Sequence, residues 1–364
     1  MDFKITRENF LEALSKTQGV VERKNTMPVL SNILLDADKN GLKISATDLE
    51  VALVTQVTAQ VLNPGKITVT ARSLYDIVRE INQPEIRVLL KENDRIEVSA
   101  GKSLFKIPGL SAAEFPQIPT VTAKSVEFSC ETFSRMIEKT SFSMSMDETR
   151  HNLAGILFQK AGSQGVRMVA TDGHRLAMVD QDGNAGDGDF KVIIPKKGVA
   201  ELKKLVSREG TFELAVGPAN LFARKGNETL YIRLIDGEFP DYTRVIPKDN
   251  AKFVYISREK LIGSLRRVSL LANERSRGVI LSFSPAHLEV SINNPDLGEA
   301  REEMEADYKG EKLSVGFNAR YFLDGLDVMK DETVILALNT DLSPCILKSE
   351  KDSGFLAVIM PMRI

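Results

Sequence analysis

A threefold internal repeat constrains the fold of this chain more than any other feature of its sequence. Three segments share a polar start, a short helix-like stretch, a polar loop and an apolar run, and they span residues 5–35, 128–158 and 256–283. Phe10, Phe133 and Leu261 occupy the same position in the three copies, with spacings of 123 and 128 residues. Self-similarity at a regular spacing indicates a repeated structural unit.

The correspondence continues downstream in the same order. The segment 45–48 (SATD) pairs with 169–172 (VATD), and 114–116 (EFP) pairs with 238–240 (EFP) at a step of 124. A chain of 364 residues is long enough for two or three domains. We therefore expect three similar domains, joined by linkers near 119–126 and 247–252, with the boundaries 1–120, 127–246 and 252–364.

The periodicity within each copy predicts an α+β fold. Leu74, Ile77, Val78 and Ile81 recur at helical spacing, as do Leu261, Ile262, Leu265 and Val268, and more briefly Phe133, Met136 and Ile137. Between such stripes the apolar residues alternate as in strands, for example over 86–107, where two strands could meet at a turn near Asn93 and Asp94. We expect six helices on one face of continuous antiparallel sheet.

The charge is segregated between the expected helices and the rest of the chain. Six helix windows (7–16, 72–80, 131–139, 196–208, 258–267 and 319–330) hold 17 Lys and Arg against 10 Asp and Glu, while the whole chain has a net charge of -2. The excess lies in Lys196, Lys197, Lys203, Lys204, Arg208, Arg258, Lys260, Arg266 and Arg267. A single basic helix face is usually only solvated. A basic face repeated along the chain predicts salt-sensitive binding to duplex nucleic acid without base readout.

Enzyme signatures fail at specific positions. Gly101-Lys102-Ser103 resembles the end of a phosphate-binding loop. Such a loop also needs a glycine at position 96, where this chain has Ile96. Ser257-x-x-Lys260 fits an acyl-serine pattern, yet Thr6 and Ser129 occupy the same place in the other copies. A hydroxyl just before a helix in every copy predicts an N-cap.

The segment Thr171-Asp172-Gly173-His174-Arg175 is the strongest catalytic candidate. His174 could act as a general base oriented by Asp172. Thr47 and Asp48 repeat the first two residues without a histidine, which favours a structural turn or the wall of a binding pocket. A hydrolase is kept as an alternative, and a monomeric duplex-DNA-binding module as another.

Composition excludes several other classes. Two cysteines and three histidines are too few for a disulfide scaffold or most structural metal sites, so we expect no metal and no cofactor. No apolar run is long enough for a membrane span and no signal peptide is visible, so we expect a cytoplasmic chain without membrane contact.

The sequence closely resembles the bacterial DNA polymerase III beta subunit, the replicative sliding clamp, over its whole length. The most specific matches are VATDGHRLA at 169–177, GEFPDYTRVIP at 237–247, VGFNARYFLD at 315–324 and the terminal VIMPMRI. The resemblance implies a head-to-tail homodimeric ring around double-stranded DNA, with helices lining the hole and no catalytic activity. It also implies docking of the replicative polymerase catalytic subunit, the clamp loader, translesion polymerases and repair factors through short peptides with Leu and Phe anchors.

The resemblance assigns roles to individual positions. The implied peptide pocket comprises Leu153, Thr171, Gly173, His174, Arg175, Leu176, Pro240, Arg244, Val245, Asn318, Tyr321, Val358, Met360, Pro361, Met362 and Arg363. Together with the charge pattern, it places DNA contacts at Lys24, Arg72, Arg150, His151, Lys196, Lys197, Lys203 and Arg266. The ring seam would join Phe105 and Ile107 of one subunit to Leu270 and Leu271 of the other.

Three positions depart from the family pattern. His151-Asn152 stands where aromatic residues are expected, which puts stacking on a template strand in doubt. Ser276 stands where some relatives carry Phe at the pocket edge, so peptide affinity is expected to differ.

Overall fold

The structure is a computed structural model that describes residues 1–22, 27–119, 123–147, 149–162, 165–183, 186, 188–207, 209–273 and 276–363. It divides into two compact units. The first unit comprises Met1–Glu131 and Lys197–Leu234, and the second comprises Thr132–Lys196 and Ile235–Ile364.

Six α-helices are present among the described residues, as the periodicity predicts. Their bounds are α1 (Arg7–Thr17), α2 (Ala71–Glu80), α3 (Cys130–Ser141), α4 (Lys196–Leu205), α5 (Arg258–Val268) and α6 (Ala319–Asp327).

The rest of the regular structure is β-sheet. The strands are β1 (Asp2–Thr6), β2 (Asn32–Asp38), β3 (Gly41–Thr47), β4 (Val51–Val57), β5 (Gln60–Asn63), β6 (Gly65–Thr70), β7 (Glu85–Leu90), β8 (Arg95–Ala100), β9 (Ser103–Leu110), β10 (Val126–Ser129), β11 (Gly155–Ala161), β12 (Gly165–Thr171), β13 (Arg175–Asp182), β14 (Lys191–Pro195), β15 (Thr211–Val216), β16 (Asn220–Lys225), β17 (Glu228–Arg233), β18 (Lys252–Ser257), β19 (Gly278–Ser284), β20 (His287–Asn294), β21 (Gly298–Glu305), β22 (Leu313–Asn318), β23 (Thr333–Leu338), β24 (Cys345–Lys348) and β25 (Phe355–Ile359).

Sheets run across the repeat boundaries in both units. The first unit holds one 13-stranded sheet in the order β10-β15-β16-β17-β4-β3-β2-β6-β9-β8-β7-β1-β5. The second unit holds an eight-stranded sheet, β14-β11-β12-β13-β25-β24-β23-β18, and a four-stranded sheet, β21-β20-β19-β22. The junctions are antiparallel: β17 pairs with β4 and β13 pairs with β25. Each of these pairs joins two consecutive repeats, which agrees with the expected continuous antiparallel sheet.

The helix stripes bury the residues that the spacing selects. Leu74, Val78 and Ile81 are at most 5% exposed. Helix α1 also packs its Phe10 ring edge-on against Phe3 of β1, with centroids 6.2 Å apart. Each helix is therefore attached to its sheet by one apolar face, and its other face is available to solvent.

The N-cap interpretation is confirmed at two of its three positions. The Thr6 hydroxyl accepts from the Asn9 N–H at 3.4 Å, and the Ser257 hydroxyl accepts from the Lys260 N–H at 3.5 Å. Ser129 is the last residue of β10, directly before α3. The apparent acyl-serine pattern is thus a helix start.

The stretch 86–107 differs from the expected two strands. The turn at Asn93 and Asp94 is present, with both residues at positive φ (57° and 53°). A second turn at Gly101, with φ of 57°, starts a third strand, β9. Lys102 and Ser103 follow this glycine, so the sequence that resembles a phosphate-binding loop is a hairpin turn.

Candidate protein-docking site and basic residues

The segment 171–175 forms a closed polar turn between β12 and β13. The Thr171 hydroxyl donates to the Arg175 carbonyl at 2.6 Å and accepts from the Gly173 N–H at 3.1 Å. One carboxylate oxygen of Asp172 accepts from the N–H groups of His174 (2.9 Å) and Arg175 (3.0 Å). Gly173 has a φ of 90°, a conformation that glycine adopts at little cost.

The first repeat contains the same turn. The Thr47 hydroxyl donates to the Val51 carbonyl at 3.1 Å and accepts from the Leu49 N–H at 3.0 Å. One carboxylate oxygen of Asp48 accepts from the N–H groups of Glu50 (2.9 Å) and Val51 (2.6 Å). The Thr-Asp pair is therefore structural, as its repetition in the sequence indicates.

The turn does not have the geometry of a catalytic dyad. The second oxygen of Asp172 accepts from Nε of Arg175 at 3.1 Å, so both oxygens are used within the turn. His174 is exposed, and the structure shows no carboxylate oriented on its imidazole among the described residues. In the same part of the chain, no group of three or more His, Cys, Asp or Glu side chains could hold a metal ion.

Arg175 fixes the turn to its surroundings. Its guanidinium pairs with Asp324 of α6, donates to the Phe142 carbonyl, and lies 4.7 Å from the Tyr321 ring centroid. The Arg175 side chain is only 10% exposed. Burial and the neighbouring Asp172 raise the pKa of Tyr321. Arg175 therefore supports the wall of the site more than it faces solvent.

The C-terminal tail joins the two sheets of the second unit. The Met360 N–H donates to the His174 carbonyl at 3.0 Å, and the Met362 N–H donates to the Gly316 carbonyl of β22 at 2.9 Å. Met360, Pro361 and Met362 are partly buried, whereas Arg363 is exposed. Two adaptable methionine side chains thus flank a rigid proline in a segment that is held at both ends.

An apolar cluster lies under the turn and contains three of the expected pocket residues. Leu153, Leu176 and Val358 are buried (8%, 2% and 1% exposed). Tyr242 belongs to the same cluster, and its hydroxyl accepts from Arg167 at 3.2 Å and from Gln159 at 3.1 Å. The sequence reasoning missed several members of this cluster: Leu157, Val169, Met178, Tyr242 and Ile346. The strand alternation over 155–182 is the signal that could have identified the first three.

The remaining pocket candidates have different surroundings. Pro240, Arg244 and Val245 are exposed, and Arg244 pairs with Asp241 at 2.9 Å. Asn318 is the N-cap of α6, with its side-chain oxygen accepting from the Arg320 N–H. The second unit thus places a buried apolar floor, a polar turn and a methionine-rich tail next to one another, which is a typical composition for a ligand pocket.

The predicted DNA contacts fall into several environments. Lys197 pairs with the buried carboxylate of Asp48 and donates to the Val20 carbonyl at 2.9 Å. Arg72, Arg150 and Arg266 each pair with a nearby aspartate, at 3.1, 3.6 and 3.1 Å. Lys196, Lys203 and His151 are exposed. Lys24, Arg208 and the Ile364 terminus lie outside the described residues.

The predicted seam residues lie at a sheet edge and on a short turn. Residues 103–108 of β9 pair with β8 on one side, and the described β9–β6 pairing covers only Gly109 and Leu110. Phe105 is 37% exposed, Leu270 is 78% exposed, and Ile107 and Leu271 are partly buried. Strand β21 forms an edge of the four-stranded sheet. Open edges that carry apolar side chains are favourable sites for strand pairing with another chain.

No helix among the described residues is long and apolar enough to cross a membrane.

Family models for the DNA polymerase III beta subunit match three consecutive segments of the chain. The N-terminal domain model matches residues 1–119, the central domain model matches 127–241, and the C-terminal domain model matches 243–363.

Full-length relatives and solved structures agree with these matches. Curated beta sliding clamps from Caulobacter vibrioides and Pseudomonas aeruginosa are 37% and 38% identical, over 100% of both chains. The crystal structure of the DNA polymerase III subunit beta from Pseudomonas aeruginosa superposes with a TM-score of 0.96 at 36% identity, covering 100% of both chains. A sliding clamp from Bartonella birtlesii bound to griselimycin gives a TM-score of 0.96 at 34% identity, also covering 100% of both.

Proposed function

Because the chain belongs to the DNA polymerase III beta subunit family, the beta sliding clamps, we propose that it closes into a head-to-tail homodimeric ring around duplex DNA and docks partner proteins in the pocket of its second unit. The family is one of non-catalytic processivity factors. The observation that carries the proposal is the full-length family match, which includes the turn and tail that form the pocket.

The pocket suits short peptides with aliphatic and aromatic anchors. Leu153, Leu176 and Val358 supply a buried apolar floor, and Met360 and Met362 can adapt to different guests. We propose the replicative polymerase, the clamp loader, translesion polymerases and repair factors as partners, and the cytoplasm as the compartment. The residues assigned to the pocket from the sequence remain proposals, with Arg175 and Asn318 acting as supports of its wall.

The three clamp domains are proposed at residues 1–120, 127–246 and 252–364. The ring seam is proposed to pair the open edge of β9, with Phe105 and Ile107, against the third domain of the partner, with Leu270 and Leu271. The exposed side chains of β21 are Glu299, Glu303 and Glu305 with one cation, Arg301, which pairs with Glu303. Strand β9 carries Lys106, which lies 3.4 Å from Glu97. The seam would therefore bring an edge of net negative charge next to a lysine.

Retention on DNA with blocked ends tests the ring. The chain is mixed with linear duplex biotinylated at both ends, streptavidin is then added, and the salt concentration is raised. A ring that has threaded onto DNA stays on the blocked duplex and leaves after a restriction cut, since its retention is topological.

A protein that binds only through basic side chains would behave differently. Its affinity falls steeply with salt whether or not the ends are blocked. Release from the blocked duplex at the same salt concentration as from the open duplex would reject the ring.

Lys196 and Lys197 give a matched test of the DNA-binding assignments. Lys196→Met should weaken duplex binding and reduce the slope of log affinity against log salt by about one, as expected for one phosphate contact. It should change the free energy of unfolding by less than about 0.5 kcal/mol, because Lys196 is an exposed surface residue.

Lys197→Met should instead lower the stability of the chain and leave DNA binding nearly unchanged. Its loss leaves the Asp48 carboxylate, whose side chain is 1% exposed, without its ammonium partner. We expect the free energy of unfolding to fall by about 2 kcal/mol, which denaturant titration would measure. The salt slope of DNA binding should stay near that of the wild type. A reduced slope with unchanged stability would show that Lys197 contacts phosphate instead.

A further inference from the structure

The first unit contains a counterpart of the proposed peptide pocket. The backbone at the junction of the first and second repeats has the same geometry as at the junction of the second and third. The Arg233 N–H donates to the Glu50 carbonyl at 2.7 Å, just as the Met360 N–H donates to the His174 carbonyl at 3.0 Å. In register, Tyr231 opposes Ala52 on β17 and β4, and Val358 opposes Leu176 on β25 and β13. Equivalent pairs of strands, β17 with β4 and β25 with β13, thus form the floor in the two units.

The outer wall is repeated as well. Phe115 packs with Val29 and Leu30, with Ile118 partly buried against them. Phe239 and Leu153 hold the corresponding places in the second unit. Between this wall and the sheet lies a cleft of about 420 Å³, lined by Leu34, Val54, Phe115, Ile118 and Tyr231 together with polar side chains.

The polar side chains of the cleft differ from those of the second unit. Lys43 and Lys66 share one carboxylate, Asp36, at 3.4 and 2.9 Å. In the second unit Arg167 lies at the position of Lys43, and it is held by Asp180 and the Tyr242 hydroxyl. Ile118 replaces that tyrosine in the first unit, so it offers no hydroxyl.

The mouth of the cleft therefore carries excess positive charge beside apolar walls. The Lys43 and Lys66 side chains are 46% and 59% exposed, whereas Asp36 is 9% exposed. Arg233 is exposed at the position that Met360 holds in the second unit. Tyr231 also lines the cleft, and burial raises the pKa of its phenol.

We propose that the cleft bounded by Phe115, Tyr231, Lys43 and Lys66 is a second docking site, which binds a linear peptide whose apolar side chain lies next to carboxylates. The apolar side chain enters between the Phe115 wall and the sheet, and the carboxylates reach the two lysines. The chain would then carry two docking sites of different chemistry, the one in the second unit being itself a proposal of the preceding subsection.

The test uses fluorescein-labelled Glu-Asp-Leu-Phe with a free carboxyl terminus, and its neutral counterpart Gln-Asn-Leu-Phe-amide, titrated by fluorescence anisotropy. In a variant lacking Met360–Ile364, which removes the tail of the proposed pocket, the acidic peptide should bind at least about tenfold more tightly than the neutral one. Its affinity should fall as salt screens the charges. The double variant Lys43→Glu/Lys66→Glu should bind the acidic peptide at least about tenfold more weakly. The double variant Lys91→Glu/Lys309→Glu, with surface lysines outside the cleft, should bind it as the wild type does.

A variant lacking Met360–Ile364 separates the two sites. Binding of the acidic peptide should persist in this variant, and a Gln-Leu-x-Leu-Phe peptide should bind Lys43→Glu/Lys66→Glu normally. Loss of acidic-peptide binding in the shortened variant, with retention in Lys43→Glu/Lys66→Glu, would place that peptide in the second unit and overturn the second site. The second site would also be overturned if the full chain binds Gln-Leu-x-Leu-Phe but not the acidic peptide. If the full chain binds the acidic peptide but not Gln-Leu-x-Leu-Phe, the result would support the second site and reject the proposed pocket of the second unit.

Discussion

Removal of Met360–Ile364 is expected to abolish binding of a Gln-Leu-x-Leu-Phe peptide while the chain stays folded. The deletion removes three apolar side chains from the pocket and both of the hydrogen bonds that hold the tail, to His174 and to Gly316. We expect a loss of about 3 kcal/mol, or somewhat more than a hundredfold in Kd, which fluorescence anisotropy would measure.

A shorter deletion provides the control. Removal of Ile364 alone leaves all of the proposed pocket residues in place and should change Kd by less than about threefold. Circular dichroism melting should show that both variants fold. Unchanged peptide binding in the longer, folded deletion would contradict a pocket that includes the tail.

The double variant Phe105→Glu/Leu270→Glu is expected to convert the dimer into monomers. Both side chains are exposed in the chain by itself (37% and 78%), so their replacement should leave its fold intact. In the proposed ring each introduced carboxylate would be buried without a partner. Each such burial costs about 4 kcal/mol, or about a thousandfold in the dimer dissociation constant. Each of the two seams of the ring would hold two of these carboxylates, so we expect an increase well above a thousandfold.

Native mass spectrometry would read out this change. Wild type should have the mass of two chains, and the variant should have the mass of one, 40.3 kDa. The matched control is Leu62→Glu/Leu342→Glu, at apolar positions that are 45% and 71% exposed and lie outside the proposed seam. A wild-type monomer, or a variant that stays dimeric, would contradict the proposed seam. The variant should also fail to stay on DNA with blocked ends.

Local features of the fold were predictable because their causes are local. The caps at Thr6 and Ser257, the turn at Asn93 and Asp94, and the stripe of Leu74 and Val78 depend on neighbours within a few residues. The Thr-Asp turn was identified as structural because the repeat presents it twice.

Features that depend on distant partners were not predictable from the sequence. Lys197 belongs to a basic run that is typical of a DNA-binding helix, but its partner Asp48 is 149 residues away. Similarly, nothing in the local pattern shows that Arg175 reaches Asp324, or that the Tyr242 hydroxyl contacts Arg167. The resemblance proposes the residues of the site, whereas the distant partners that hold their side chains are shown only by the structure.

The pairing of β17 with β4 and of β13 with β25 has a consequence for how this chain can change over evolution. The duplicated segment and the compact unit are out of phase, because the second repeat gives strands to both units. Recombination that exchanges the second repeat with that of a relative would therefore replace part of each unit and place foreign strands beside native ones at both junctions. Exchanges that keep β4 with β17 and β13 with β25 would preserve the existing strand contacts. The piece that can be inherited as a block is thus different from the piece that was duplicated.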